Sequence, residues 1–297
     1  MFSGVANLLK PPGISSFAII KKLRWLLEEK KVGHTGTLDP AAAGVLGVCL
    51  GKATKIIPYL VDDQKEYICE MKLGLATDTI DLEGEVVASD KNWTDLTPAD
   101  VIEVITGFKG KQMQIPPMYS AIHHEGKRLY QLARQGIEVE RPAREVEIYQ
   151  LEIIKVDLPL IRFRAAVSRG TYLRSLVRDI ADRLGSAGVM TFLLRTRSGP
   201  FTISNSVTIE EIEEKGSDIL LPPQAPLTLP SLTLSNECYD RAANGNYLIA
   251  SNFIETKIDL QLNSYFLLFS ETGNFLAIGQ YQIKDDYEIY QPLKVFI

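Results

Sequence analysis

The chain has 297 residues, 45% of them apolar, and a formal net charge of −5. That is enough apolar material for one large domain or two unequal ones, and no apolar run approaches the ~20 residues that cross a bilayer as a helix. Three widely spaced cysteines (Cys49, Cys69, Cys238) without a CxxC pair argue against a disulfide framework, three histidines (His34, His123, His124) make a poor zinc set, and no signal-like segment opens the chain, so a soluble, cytoplasmic monomer without metal is expected.

In chain order, Ser15 and Ser16 cap a predicted helix that runs to about Lys30, with Phe17, Ile20, Leu23 and Leu27 on its buried face. The stretch KKVGHTGTLDPAAAGVLGVCLGKATK follows, from Lys30 to Lys55, with five glycines. It is not a phosphate-binding P-loop. Gly51-Lys52 is followed by Ala53, so the magnesium-binding hydroxyl is missing, and Leu46 stands where the motif needs its first glycine. Nor is it a metal site, because His34 and Asp39 have no third ligand nearby. Asp39 remains, in TLDP. Pro40 biases it to an extended conformation. Two readings stay open: a cap for a helix beginning at Pro40, or a reactive carboxylate in a glycine-rich loop. The glycines are expected to let a ligand approach the loop closely.

Lys65–Gly74 reads as a strand, Asp81–Ser89 as a turn and strand, and Thr97-Pro98 opens a helix to about Gly107. In Asp81–Ser89 and just before it, Asp78 and Asp81 are expected to shape the turn. Pro159–Ser168 alternates apolar residues with Arg162 and Arg164, giving a strand with one basic face. A helix follows Gly170-Thr171 to about Leu184, with Leu173, Leu176, Val177, Ile180 and Leu184 buried. The Pro-rich stretch Ser217–Ser235 reads as a connector, which divides the chain into residues 1–228 and a separable small β domain at 229–297. Helices and strands without a βαβ rhythm indicate α+β.

Charge is unevenly placed. Ile161–Pro200 holds eight arginines and two acids, and Lys109–Arg144 seven bases and three acids, whereas the chain from Phe201 onward has thirteen acids and five bases. Two basic blocks in an acidic protein suit a polyanion, and arginine in particular suits phosphate.

GHTGTLDPAAAGVLGVCLGKATK closely resembles the catalytic motif of the TruB-type tRNA pseudouridine synthases. KPPGISS (Lys10–Ser16), KEYICEMKLGLATDTIDLEGEV, PPMYSAIHHEGKRLYQLARQG (Pro116–Gly136), SRGTYLRSLVRDI (Ser168–Ile180) and LLRTRSGPF (Leu193–Phe201) resemble further blocks of the family, in its order. The closing YQPLKVFI resembles the end of its small PUA-like domain. The resemblance implies a mixed, mainly antiparallel sheet flanked by helices, with a small C-terminal PUA-like β domain. It implies isomerisation of uridine 55 in the T-loop of tRNA to pseudouridine, by a bacterial-type, stand-alone enzyme with no cofactor and no bound nucleotide.

Carried over to this sequence, the catalytic residues are Asp39, the attacking carboxylate, Arg174, which pairs with it, and Tyr67, which stacks on the flipped base and takes part in proton removal. His34, Tyr172 and Leu193 line or support the uridine site. Lys127, Arg128, Arg134, Arg169 and Arg195 are expected to contact RNA, within basic segments that include residues 109–144, and Lys10 is expected to be structural. Base flipping costs a few kcal/mol, stacking on an aromatic ring returns ~1–3 kcal/mol, and a carboxylate facing an arginine is expected to stay ionised. Ala42 and Gly47 stand where the family more often has Leu and Pro, and His123 where it usually has Lys. A guide-RNA-dependent relative and a non-catalytic RNA-binding protein are the competing readings. Segment 116–136 disfavours the first, and Asp39, Tyr67 and Arg174 together disfavour the second.

Overall fold

The computed structural model describes residues 3–60, 64–254 and 260–297. Strand β1 (Gly4–Lys10) leads into helix α1 (Ser16–Leu26). Ser15 caps α1 by accepting from the Ala18 amide at 3.1 Å. The helix stops short of Lys30, and Glu28 beyond it takes a left-handed conformation (φ 49°). Its buried face is Ile19, Ile20, Leu23 and Leu27, whereas Phe17, expected inside, is 70% exposed. The reason is Ser16. Its hydroxyl is buried against the loop at Leu38, and this turns the adjacent Phe17 to solvent.

Strands β2 (Val32–His34) and β3 (Ala43–Leu50) flank the loop that carries Asp39. No helix begins at Pro40, which removes the capping alternative. Then come β4 (Lys65–Leu73), the β5 (Leu75–Thr77) and β6 (Val86–Ser89) hairpin, and α2 (Pro98–Thr106), which Thr97 and Asp100 cap reciprocally. After β7 (Gly110–Gln114), a short excursion holds β8 (His123–His124), β9 (Lys127–Arg128) and α3 (Leu129–Ala133). Strands β10 (Arg144–Asp157) and β11 (Leu160–Val167), helix α4 (Leu173–Arg183), strands β12 (Gly188–Ser198) and β13 (Phe201–Thr202), and α5 (Ile209–Lys215) complete the large unit.

One sheet organises this unit, in the order β1-β3-β12-β4-β11-β10-β7, with β2 beside β3 and β13 beside β12. Its pairs are antiparallel except β3 with β12. This is the mixed, mainly antiparallel α+β fold expected. On one face, Tyr67, Cys69 and Leu193 pack under α4, and Leu46, Val48 and Leu50 pack under α1 and α5. The register across β3, β12 and β4 puts Gly44, Arg195 and Tyr67 in line, so α1 and α4 lie side by side on the same face.

The opposite face of β1 and β3 is covered by the C-terminal unit: β14 (Ser231–Leu234), α6 (Tyr239–Ala243), β15 (Tyr265–Ser270), β16 (Phe275–Lys284) and β17 (Tyr287–Val295), whose strands form one sheet in that order. Leu267 and Ile278 share a core with Val5, Val45, Cys49 and Ile56. The Lys52 ammonium donates to the carbonyls of Phe296 and Ile297. The Pro-rich stretch is not a free connector either, because Leu221 exchanges two backbone hydrogen bonds of 2.8 Å with Val5. The small domain therefore closes the core of the large one. Among the described residues, no helix is long and apolar enough to cross a membrane.

Ile278→Ala empties a fully buried position in this shared core. It is expected to lower unfolding free energy by about 2–5 kcal/mol, measured by urea denaturation, with the far-UV signals of both sheets lost in one transition.

Candidate active site

The cleft opens beside the Asp39 loop, where that loop meets the start of β4 and the start of α4. Thr37, Leu38, Asp39, Lys65, Tyr67, Ser120, Arg169, Tyr172, Arg174 and Leu193 are among the residues that line its volume of about 280 Å3. That lies just below the ~300–1,000 Å3 of drug-sized sites.

Asp39 and Arg174 meet at 2.9 Å, Oδ2 to Nη2. Arg174 is buried on the first turn of α4, and its guanidinium also donates to the carbonyls of Thr79 (3.0 Å) and Tyr119 (2.8 Å). Asp81 stands 3.8 Å away on its other side. The arginine is thus held by two segments of chain, the Thr79–Asp81 turn and the Tyr119 carbonyl, before it reaches Asp39. The Asp39 side chain keeps 34% of its exposure, all that remains of solvent contact in a carboxylate otherwise enclosed. Burial pushes its carboxyl above the usual carboxylate range. Arg174 and, more weakly, Lys10 pull it back, while Asp81 adds to the rise. Arginine pairing therefore opposes desolvation without fully cancelling it.

Two fully buried cations position the loop. Arg195 on β12 donates from Nε to Val45 O (2.8 Å), from Nη1 to Thr37 O (3.2 Å) and from Nη2 to Gly36 O (3.1 Å). Lys10, at the end of β1, donates to the carbonyls of Pro11 (2.8 Å), Ile14 (2.6 Å) and Pro40 (3.1 Å). Burial lowers the Lys10 pKa to about 8. Arg195 thus grips the chain just before Asp39, and Lys10 the residue just after it. This corrects the expectation for Arg195: a guanidinium with no solvent exposure, spent on three backbone carbonyls, does not reach an RNA backbone. Lys10 is structural, as expected.

Tyr67 lies on β4 opposite Arg195 and forms part of the cleft wall. Leu193 serves both the wall and the core beneath it. Tyr172 precedes α4, and the Gln114 side chain clamps its backbone by donating to its carbonyl and accepting from its amide. Burial raises the Tyr172 phenol above its usual pKa. His34 is not among the residues lining the cleft. It sits on β2, where burial and the nearby Arg195 depress its pKa and its Nδ1 is buried without a hydrogen bond.

Arg169 is exposed at the cleft mouth. Lys127, Arg128 and Arg134 are exposed together on the β9–α3 excursion and are not among the residues lining the cleft, with Arg134 5.6 Å from the Tyr130 ring. No cluster of three or more His, Cys, Asp or Glu side chains that could hold a metal occurs among the described residues.

The glycines answer to the protein more than to a ligand. A Cβ at Gly44 (φ 116°) would strike the Arg195 backbone, and one at Gly47 would strike the Phe201 ring and the Thr35 hydroxyl. Gly47, which stands where the family more often has proline, is explained by that ring. Sequence reasoning missed Gln114 and Lys65, which carried no local signal. It also treated Asp81 as a turn former only, although Asp81 both accepts from Thr79 (2.6 Å) and faces Arg174.

Residues 24–173 match the model of the TruB family pseudouridylate synthase N-terminal domain, and residues 174–219 match the tRNA pseudouridylate synthase B C-terminal domain. The chain belongs to the TruB family. A tRNA pseudouridine synthase B of Alkaliphilus oremlandii is 45% identical over 257 residues, 86% of this chain and 85% of that one. One of Clostridium tetani is 40% identical over 292 residues, 98% and 99% of the two chains. A crystal structure of a Cbf5–Nop10–Gar1 complex holds a chain of the same fold, 25% identical with a TM-score of 0.74, covering 99% of this chain and 85% of that one. The two family models meet between Leu173 and Arg174, inside α4, so that division is not a boundary of the fold.

Arg195→Met leaves the carbonyls of Gly36, Thr37 and Val45 without their donor. At about 1–3 kcal/mol for each orphaned buried group, a loss of several kcal/mol is expected in urea denaturation, with Arg195→Lys intermediate.

Proposed function

We propose that this chain isomerises uridine 55 in the T-loop of tRNA to pseudouridine, with Asp39 as the attacking carboxylate and no cofactor. The observation that carries the reading is the Asp39–Arg174 pair in a cleft walled by Tyr67. Curated relatives named for the tRNA activity, aligned over nearly the whole chain, support the substrate class.

The chemistry follows from the groups present. A uridine flipped out of its loop stacks on Tyr67, and Leu193 closes the apolar side of the site. Asp39, as the carboxylate, attacks the nucleoside. The N1–C1′ bond breaks, the retained uracil turns within the cleft, C5 bonds to C1′, and the bond to Asp39 breaks again, which regenerates the carboxylate. C5 gives up its proton and N1 gains one, so the reaction is redox-neutral and atoms balance. Arg174 aims the carboxylate and favours its ionised form. Lys127, Arg128, Arg134 and Arg169 supply phosphate contacts for the surrounding RNA, as exposed cations do for a polyanion.

The test is direct. Purified protein is expected to convert uridine to pseudouridine in an unmodified tRNA transcript without added metal or nucleotide. Mapping is expected to place the product at position 55. Asp39→Asn is expected to abolish turnover while retaining tRNA binding, and turnover that survives would remove Asp39 from its role.

The pH dependence has a defined sign. The reactive species is the carboxylate, and its folded pKa is raised, so activity is present above that pKa and lost as pH falls through it. The acid limb of kcat/KM is therefore expected above the ordinary aspartate value of about 3.9, read from single-turnover rates across pH.

A further inference from the structure

Helix α1 carries a surface that the reaction does not use. Phe17, Lys21, Arg24 and Trp25 recur at helical spacing on the side opposite its buried residues, and all are exposed. Phe17 is 70% exposed and Trp25, two turns further on, is 77% exposed. The rings are about 12 Å apart along the axis. Lys21 makes no ion pair among the described residues, whereas the neighbouring Lys22 is tied to Glu213 at 2.6 Å. Lys30 and Lys31 extend the positive charge beyond the helix.

The stripe is continuous with the cleft. The Ser16 hydroxyl donates to the Leu38 carbonyl (3.0 Å) and accepts from the Leu38 amide (2.9 Å). The Gly13 amide donates to the Pro40 carbonyl (2.9 Å). The start of α1 is therefore bonded to the residues on both sides of Asp39, and α1 shares its face of the sheet with α4. Phe17 follows Ser16 directly, so the stripe begins at the loop and leads away from it.

We propose that this outward face of α1 is a second RNA-binding surface, on which unpaired bases of the substrate tRNA stack against Phe17 and Trp25 while Lys21 and Arg24 hold the adjoining phosphates. The inference rests on the tRNA-modifying reading and adds to it a platform outside the uridine cleft. The chemistry selects RNA over a protein partner. The rings are interleaved with cations instead of forming one apolar patch, and protein interfaces are depleted of lysine at their core. Sites for single-stranded nucleic acid combine aromatic platforms with positive charge, and RNA offers splayed loop bases to such platforms.

The chain has two tryptophans, so Trp93→Phe leaves Trp25 as the sole indole reporter. In an Asp39→Asn, Trp93→Phe protein titrated with unmodified tRNA transcript, Trp25 emission is expected to be quenched saturably, with a midpoint that weakens as salt rises. Phe17→Ala with Lys21→Ala is expected to raise the Kd by about 10-fold, as loss of one stacked base and one phosphate contact would. Filter binding run in parallel reports tRNA association independently. Binding there without a change in Trp25 emission, or with a Kd unaltered in the Phe17/Lys21 variant, overturns the proposal and leaves the enzyme reading untouched. Self-association that Trp25→Ala abolishes, with tRNA affinity unaltered, also overturns it, by assigning the stripe to a second copy of the chain. Failure of the wild type to make pseudouridine would strike the enzyme reading instead.

Discussion

The loop around Asp39 exists in its observed shape because two buried cations hold it from behind. Arg195 and Lys10 have no solvent exposure, and no carboxylate among the described residues pairs with either. Removing a cation from water costs several kcal/mol, so each must be met by well-placed acceptors. The acceptors are backbone carbonyls at Gly36, Thr37 and Val45 for Arg195, and at Pro11, Ile14 and Pro40 for Lys10. A loop whose carbonyls are needed to neutralise buried charge cannot drift without leaving that charge uncompensated. Asp39 sits between the two gripped segments, and Arg174 fixes its side chain from the front.

This arrangement explains the division of labour among the arginines of the basic block at 161–200. Arg162 pairs with Glu70, Arg174 serves Asp39, Arg178 pairs with Asp179, and Arg195 serves the loop. A run of like charge that reads as one RNA-facing surface is thus several separate uses of the guanidinium fork. Arg169 and the Lys127, Arg128 and Arg134 cluster remain exposed and suited to phosphate. The C-terminal unit has a different task. Its sheet covers the back of β1 and β3, so an acidic domain supports from behind the strand that follows the Asp39 loop, through the shared core at Val45 and Cys49.

Much of the fold was legible in local pattern. Alternation in Leu160–Val167 appears as an exposed arginine face over a buried Ile161 and Phe163, and the α4 stripe falls where its spacing requires. Thr97 caps α2 as its sequence suggests. Where the reading slipped, a distant partner decided. Phe17 fits a helical stripe by spacing, but Ser16 is drawn inward by Leu38, and the helix turns with it. The Pro-rich stretch has the composition of a connector, yet Leu221 completes a ladder with Val5 at the other end of the chain.

By itself, the sequence determined most of the elements and the family, because spacing, capping and motif order are properties of neighbours along the chain. It did not determine what the central side chains rest on. That Gln114 clamps Tyr172, that Asp81 faces Arg174, and that Arg195 is an interior brace are contacts between residues far apart in sequence, which only the tertiary structure brings within hydrogen-bonding distance. Burial is likewise a property of the folded chain. The same arginine is a phosphate ligand on a surface and a loop anchor in a core, and only packing decides between them.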